Sequence, residues 1–114
     1  MKIWDDYLQE ERDLTSMEEE KSLEIQEVRK IQSSYEAHFQ QVFRFMDEIR
    51  WDFRQNDRSS LHEQMQDRVF SISRTIREDL EETGDSYQQE QRELKDCLDE
   101  IAYKKRKAGI DKGE

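Results

Sequence analysis

Apolar side chains recur along the first half of the chain at Leu14, Met17, Val28, Ile31, Tyr35, Phe39, Val42, Met46, Ile49 and Phe53. From Val28 onward the steps are 3, 4, 4, 3, 4, 3 and 4, which keep these positions on one face of an α-helix. Upstream the same stripe passes through Lys21 and Glu24 with Ile25 beside it, so the apolar face thins there. Nothing between Leu14 and Phe53 breaks a helix, and that stretch at about 1.5 Å per residue makes a rod of roughly 60 Å. The second half carries Leu61, Met65, Val69, Ile72, Ile76, Leu80, Thr83, Tyr87, Glu90, Leu94, Leu98 and Ile101. Here Leu61, Ile72, Thr83 and Leu94 lie eleven apart, as do Met65, Ile76, Tyr87 and Leu98, a repeat that favours nearly straight packing.

Gln55-Asn56-Asp57-Arg58-Ser59-Ser60 separates the two stripes and is rich in turn formers. Ser60-Leu61-His62-Glu63 has the spacing of a capping box, which starts the second helix at about Leu61. The predicted fold is all-α: one domain over 1–114, a long antiparallel helical hairpin with helix one about 10–54, a turn at 55–60 and helix two about 61–107. Folding about position 57 sets Phe53 against Leu61, Ile49 against Met65, Met46 against Val69, and Val42 against Ile72. Further out, Phe39 meets Ile76, Tyr35 meets Leu80, Met17 meets Leu98, and Leu14 meets Ile101. The acidic start and basic end agree with this register, since Glu10 and Glu11 would face Lys104 and Lys105. Gly84 is the weak point, as glycine costs about 1 kcal/mol against alanine inside a helix. It either kinks helix two or breaks it into two pieces.

Composition narrows the function. The chain has 114 residues, 42% charged and 32% hydrophobic, no proline, three glycines and a net charge of −10. Such acidity argues against nucleic acid, whose phosphates need a basic surface. No run of about 18 apolar residues exists to span a membrane. The start, Met1-Lys2-Ile3-Trp4-Asp5-Asp6, lacks the apolar core of a signal peptide. One cysteine, Cys97, gives no disulfide framework and fits a reducing compartment. His38, His62 and Cys97 form no nucleophile–base set, no metal-ligand spacing occurs, and no glycine-rich loop could hold phosphate. No enzyme activity, catalytic residue, cofactor or metal is therefore expected.

Large apolar residues off the stripes are the informative ones. At 100° per residue, Phe43 and Phe45 fall about 80° to either side of the first stripe, Trp51 nearly opposite it, and Phe70 about 120° from the second. Phe53 ends the first stripe beside them. Exposed aromatics gathered toward the turn mark an interface, so Phe43, Phe45, Trp51, Phe53 and Phe70 are the candidate partner-binding residues. A two-helix scaffold buries only one stripe per helix and gains a core by completing a bundle, with a second copy or with another chain.

An acidic helical hairpin of about this length, with tryptophan at the turn, resembles the WXG proteins of type VII secretion. It is more closely similar to the small α-helical partners encoded beside LXG toxins in Gram-positive type VIIb systems. The resemblance covers about Leu14 to Lys107. Trp51-Asp52-Phe53 keeps the tryptophan and replaces the glycine of W-x-G by phenylalanine. The Y-x-x-x-D/E export pattern fails at Tyr103, where Lys107 stands four residues on; Tyr7 and Glu11 match it at the other end. F-x-x-x-D occurs at Phe43–Asp47 and Phe53–Asp57. The resemblance implies a targeting chaperone that binds the helical N-terminal LXG domain of a toxin, often with a second small helical protein. It also implies a cytoplasmic protein that is itself co-exported by a signal-independent route in some systems. The rival expectation is a structural homo-oligomeric coiled-coil spacer.

Overall fold

The structure, a computed structural model, describes residues 3–113, with side chains through Ile110; Met1, Lys2 and Glu114 lie outside the described residues. Two α-helices make up the fold, α1 at Trp4–Gln55 and α2 at Ser59–Gly113, with no strand among the described residues. The all-α helical hairpin predicted from periodicity is what the chain forms. Both helices run beyond the expected limits of 10 and 107. At the front, the amides of Asp6 and Tyr7 donate to the Ile3 carbonyl, and the Asp6 carboxylate accepts from the Ile3 amide at 3.2 Å. That reciprocal cap, with Asp5 and Asp6 in the first turn, suits the positive end of the helix dipole. α2 continues unbroken through Gly84, so the three-helix alternative is not realised.

The connection is a tight C-cap. The Arg58 amide donates to the Phe53 carbonyl at 2.7 Å and the Asp57 amide to the Arg54 carbonyl at 3.3 Å, the two bonds of a Schellman motif. Asp57 takes the left-handed conformation at φ 56°. The His62 amide donates to the Arg58 carbonyl, so α2 opens on Arg58 and the expected cap at Ser60 falls inside the first turn. The left-handed conformation costs an L residue about 1–2 kcal/mol, less for aspartate, and nothing for glycine. Asp57→Gly is accordingly expected to stabilise the protein by about 0.5–1 kcal/mol in urea denaturation, offset by a few tenths for the freer unfolded chain.

The packing divides into two compact units: one combines the chain up to Glu27 with the chain from Gly84 onward, and the other is Val28–Thr83. In the first, α1 contributes Trp4, Tyr7, Glu11, Leu14, Glu18, Lys21 and Ile25 to the seam, in alternating steps of 3 and 4. α2 answers with Gly84, Tyr87, Gln91, Leu94, Leu98, Ile101, Lys105 and Ala108. Much of this seam is polar and paired across the helices. Lys105 Nζ donates to Glu11 Oε1 at 2.7 Å, as the charge pattern predicted, and Lys104 bridges Glu100 on its own helix while also feeling the charge of Glu10 across the seam. Gln91 Nε2 donates to Ser22 Oγ at 2.8 Å and to Glu18 Oε1 at 3.1 Å. Lys21 bridges Glu24 and Glu90 and lies over the Tyr87 ring at 4.4 Å. Those two carboxylates hold its ammonium well above the ordinary lysine range. Gly109 gives Trp4 room, since a Cβ there would sit 3.3 Å from Trp4 Cδ1.

In the second unit α1 contributes Val28, Gln32, Tyr35, Phe39, Val42, Met46, Ile49 and Phe53, again in a strict heptad. α2 contributes His62, Gln66, Val69, Ser73, Ile76, Leu80 and Thr83. Several expected rungs are corrected here. Leu61, Met65 and Ile72 are exposed, and their neighbours His62, Gln66 and Ser73 take the seam positions, so Phe53 packs at a tilt against His62 (5.5 Å between centroids) and not against Leu61. Met17, Glu24 and Ile31 likewise give way to Glu18, Ile25 and Gln32. The physical reason is phase: Ile25, Gln32, Phe39, Met46 and Phe53 stand seven apart, and one polar rung keeps four apolar ones facing the partner helix. The eleven-residue spacing holds in α2 between Ser73 and Gly84, where two heptad runs join.

Candidate partner-binding surface

Within Val28–Thr83, each helix has two flanks beside its seam. The residues that follow Tyr35, Val42, Val69 and Ile76 are Glu36, Phe43, Phe70 and Arg77, and they meet across the helices. The Phe43 and Phe70 rings stack with centroids 4.5 Å apart, and Arg77 Nε donates to Glu36 Oε1 at 2.8 Å. Tyr35, Phe39 and Phe43 continue this aromatic row along α1 at centroid spacings of 6.0 and 6.3 Å. Small or polar seam residues Gln32 and Ser73 leave a cavity of about 270 Å³ beside it. The chain's own pairs bridge the helices on this side, the closed side, while Phe70 and Tyr35 stay 48% and 40% exposed there.

The opposite flanks hold the residues that precede seam positions: Ile31, His38 and Phe45 on α1, and Met65 and Ile72 on α2. Leu61 lies one turn before Met65 on the same face. Ile31, Phe45, Leu61, Met65 and Ile72 are all exposed, Phe45 at 56% and Ile72 at 53%. Among the described residues no ring stack or ion pair crosses between the helices on this open side.

The five residues singled out from sequence do not form one patch. Phe53 belongs to the seam, against His62. Phe43 is half-buried under Phe70, which remains 48% exposed on the closed side. Phe45 stands on the open side, and Trp51 points away from the seam at 63% exposure. Ile31, Leu61, Met65 and Ile72 were missed as surface because their spacing also fits a helix stripe.

Polar groups near the turn have structural partners. His62, 3% exposed, has Nε2 2.7 Å from the Met46 carbonyl. Asp47 of one F-x-x-x-D pattern pairs with Arg50 at 3.1 Å, Asp57 of the other is the left-handed cap residue, and Glu11 of the Y-x-x-x-E match holds Lys105. His38 lies edge-on to Phe39, and Cys97 is exposed. Among the described residues no group of His, Cys, Asp or Glu side chains is placed to hold a metal ion, and no helix is long and apolar enough to cross a membrane.

No curated protein and no solved structure matches this chain. Residues 5–108 match the family described as Protein of unknown function (DUF3958), and the chain belongs to that family.

Proposed function

We propose that the protein is a non-enzymatic targeting partner that binds the helical N-terminal domain of an LXG toxin for type VII secretion, with a second small helical protein in some assemblies. In this role it acts in the cytoplasm and travels with its cargo by a signal-independent route. The observation that carries the proposal is the set of large side chains left in water once the hairpin seam is filled, among them Trp51 at 63% exposure and Phe70 at 48%. Tryptophan and large apolar side chains supply most of the binding energy at helical interfaces when they enter a partner's pockets. Resemblance to the small helical partners of LXG toxins supplies the identity of the cargo.

Co-purification of the full chain with the LXG domain of the neighbouring toxin tests this. Trp51→Ala and Phe70→Ala are each expected to weaken the complex at least about tenfold. Trp51→Ala is the cleaner variant, because Phe70 also stacks on Phe43 within the chain. Binding by both variants as tight as by the parent would overturn the assignment of this surface. Failure of the parent to bind any LXG domain would overturn the function. The second reading, a homo-oligomeric spacer, draws support from the unbroken heptad of α1. It requires a stable homo-oligomer that ignores the toxin domain.

A further inference from the structure

We infer that the open side of the Val28–Thr83 unit is a self-association surface, covered by the same face of a second copy of this chain. Three observations converge on it. First, α2 leaves three large apolar side chains out of its seam: Leu61, Met65 and Ile72 stand one position before His62, Gln66 and Ser73, which are the residues turned toward α1. A helix pair that only needed to hold itself together would place them the other way round. α2 thus carries two adjacent stripes, one polar-containing stripe for α1 and one apolar stripe for another layer.

Second, the area is sufficient. Ile31, Phe45, Leu61, Met65 and Ile72 together leave roughly 500 Å² in water, in the upper part of the range of about 300–600 Å² for the largest patch on a monomer, where such patches are often functional. Two copies meeting there and covering these side chains fully would remove on the order of 1,000 Å² from them alone, the threshold for a biological interface, with the flanking residues adding to it. Third, charge permits it at this place. Residues 28–83 carry nine basic and eleven acidic side chains, a net of −2, whereas the rest of the chain carries ten and eighteen, a net of −8. The apolar face therefore lies in the near-neutral part of an acidic protein, where like copies repel least. Trp51 and the Phe43–Phe70 pair lie off this face, so a copy bound here leaves them available for the toxin domain. The inference does not rest on that function.

Light scattering of the full chain alone, over a dilution series, reads the result. The parent is expected to be a dimer that dissociates on dilution. Phe45→Glu with Ile72→Glu is expected to weaken self-association by at least about a hundredfold, with helical circular dichroism unchanged because both residues are exposed. Met65→Lys serves as a milder second variant, and Trp51→Ala is expected to leave the dimer intact. A monomeric parent at every concentration would overturn the inference, as would a dimer untouched by the paired glutamates. A monomeric parent whose toxin-domain binding is lost in the paired variant would give the open side to the hetero-partner. That outcome overturns self-association while leaving the targeting function standing.

Discussion

Replacing Phe39 by alanine is expected to destabilise the protein by about 3 kcal/mol, the low end of the range for a buried phenylalanine. Phe39 is among the few well-buried side chains of the Val28–Thr83 unit, with Val28 and Met46. It sits in the middle of the aromatic row, in ring contact with Tyr35, His38 and Phe43. Truncation removes all three contacts and enlarges the cavity of about 270 Å³ that Phe39 already lines. The low end applies because that space is partly open to water, which limits the cost of the new void. Since domains of this size hold only about 5–15 kcal/mol in total, the loss should show as a large drop in urea midpoint. Trp51→Ala, which deletes a larger but exposed ring, is expected to move it by no more than about 0.5 kcal/mol.

The second large effect is expected at His62. His62→Ala should cost about 2–3 kcal/mol, because the ring is buried against Phe53 and bonded to the Met46 carbonyl. His62→Leu should recover most of that loss. The Met46 carbonyl lies inside α1 and also accepts the helical amide four residues on, so leucine leaves no orphaned acceptor. It also restores apolar volume beside Phe53. Thermal or urea denaturation of the two variants compares them directly. A leucine variant as unstable as the alanine one would mean that the hydrogen bond, and not packing, holds this rung.

These two positions also show what the residues disclosed. The α1 stripe was legible from Tyr35 to Phe53, where every rung is apolar, and Phe39 fell where the periodicity placed it; upstream, Ile31 hid the polar seam residue Gln32. His62 was not legible as a seam residue. Leu61 and His62 are about 100° apart on the helix, and a hydrophobicity pattern selects the leucine whichever of them faces α1. The same holds for Met65 against Gln66 and Ile72 against Ser73. Where two stripes lie side by side on one helix, sequence shows both, and only packing tells which one serves the chain's own partner helix.

Polar seam positions hid the outer half in the same way. Glu11, Glu18, Lys21, Gln91 and Lys105 carry no hydrophobic signal, yet they pair across the two helices and continue the heptad to Trp4. Register was still readable there, because Glu11 against Lys105 followed from the charge pattern. The connection, 56–58, is shorter than the expected 55–60, because Asp57 adopts a left-handed conformation usually given to glycine and α2 opens on Arg58 ahead of Ser60. As for the candidate surface, Trp51, Phe45 and Phe70 are exposed, whereas Phe53 is in the seam and Phe43 is covered by its neighbour. Aromatic character alone does not separate rings that face water from rings that close the hairpin.

The central claim is that this hairpin satisfies only its own seam and is completed by the helices of a toxin domain. Amide hydrogen exchange on the full chain, alone and with the LXG domain, tests it most directly. Slowed exchange throughout residues 28–83, with the helix around Trp51 and Phe70 among the segments gaining most protection, is the expected result. Unchanged exchange in that region at saturating LXG domain would contradict it.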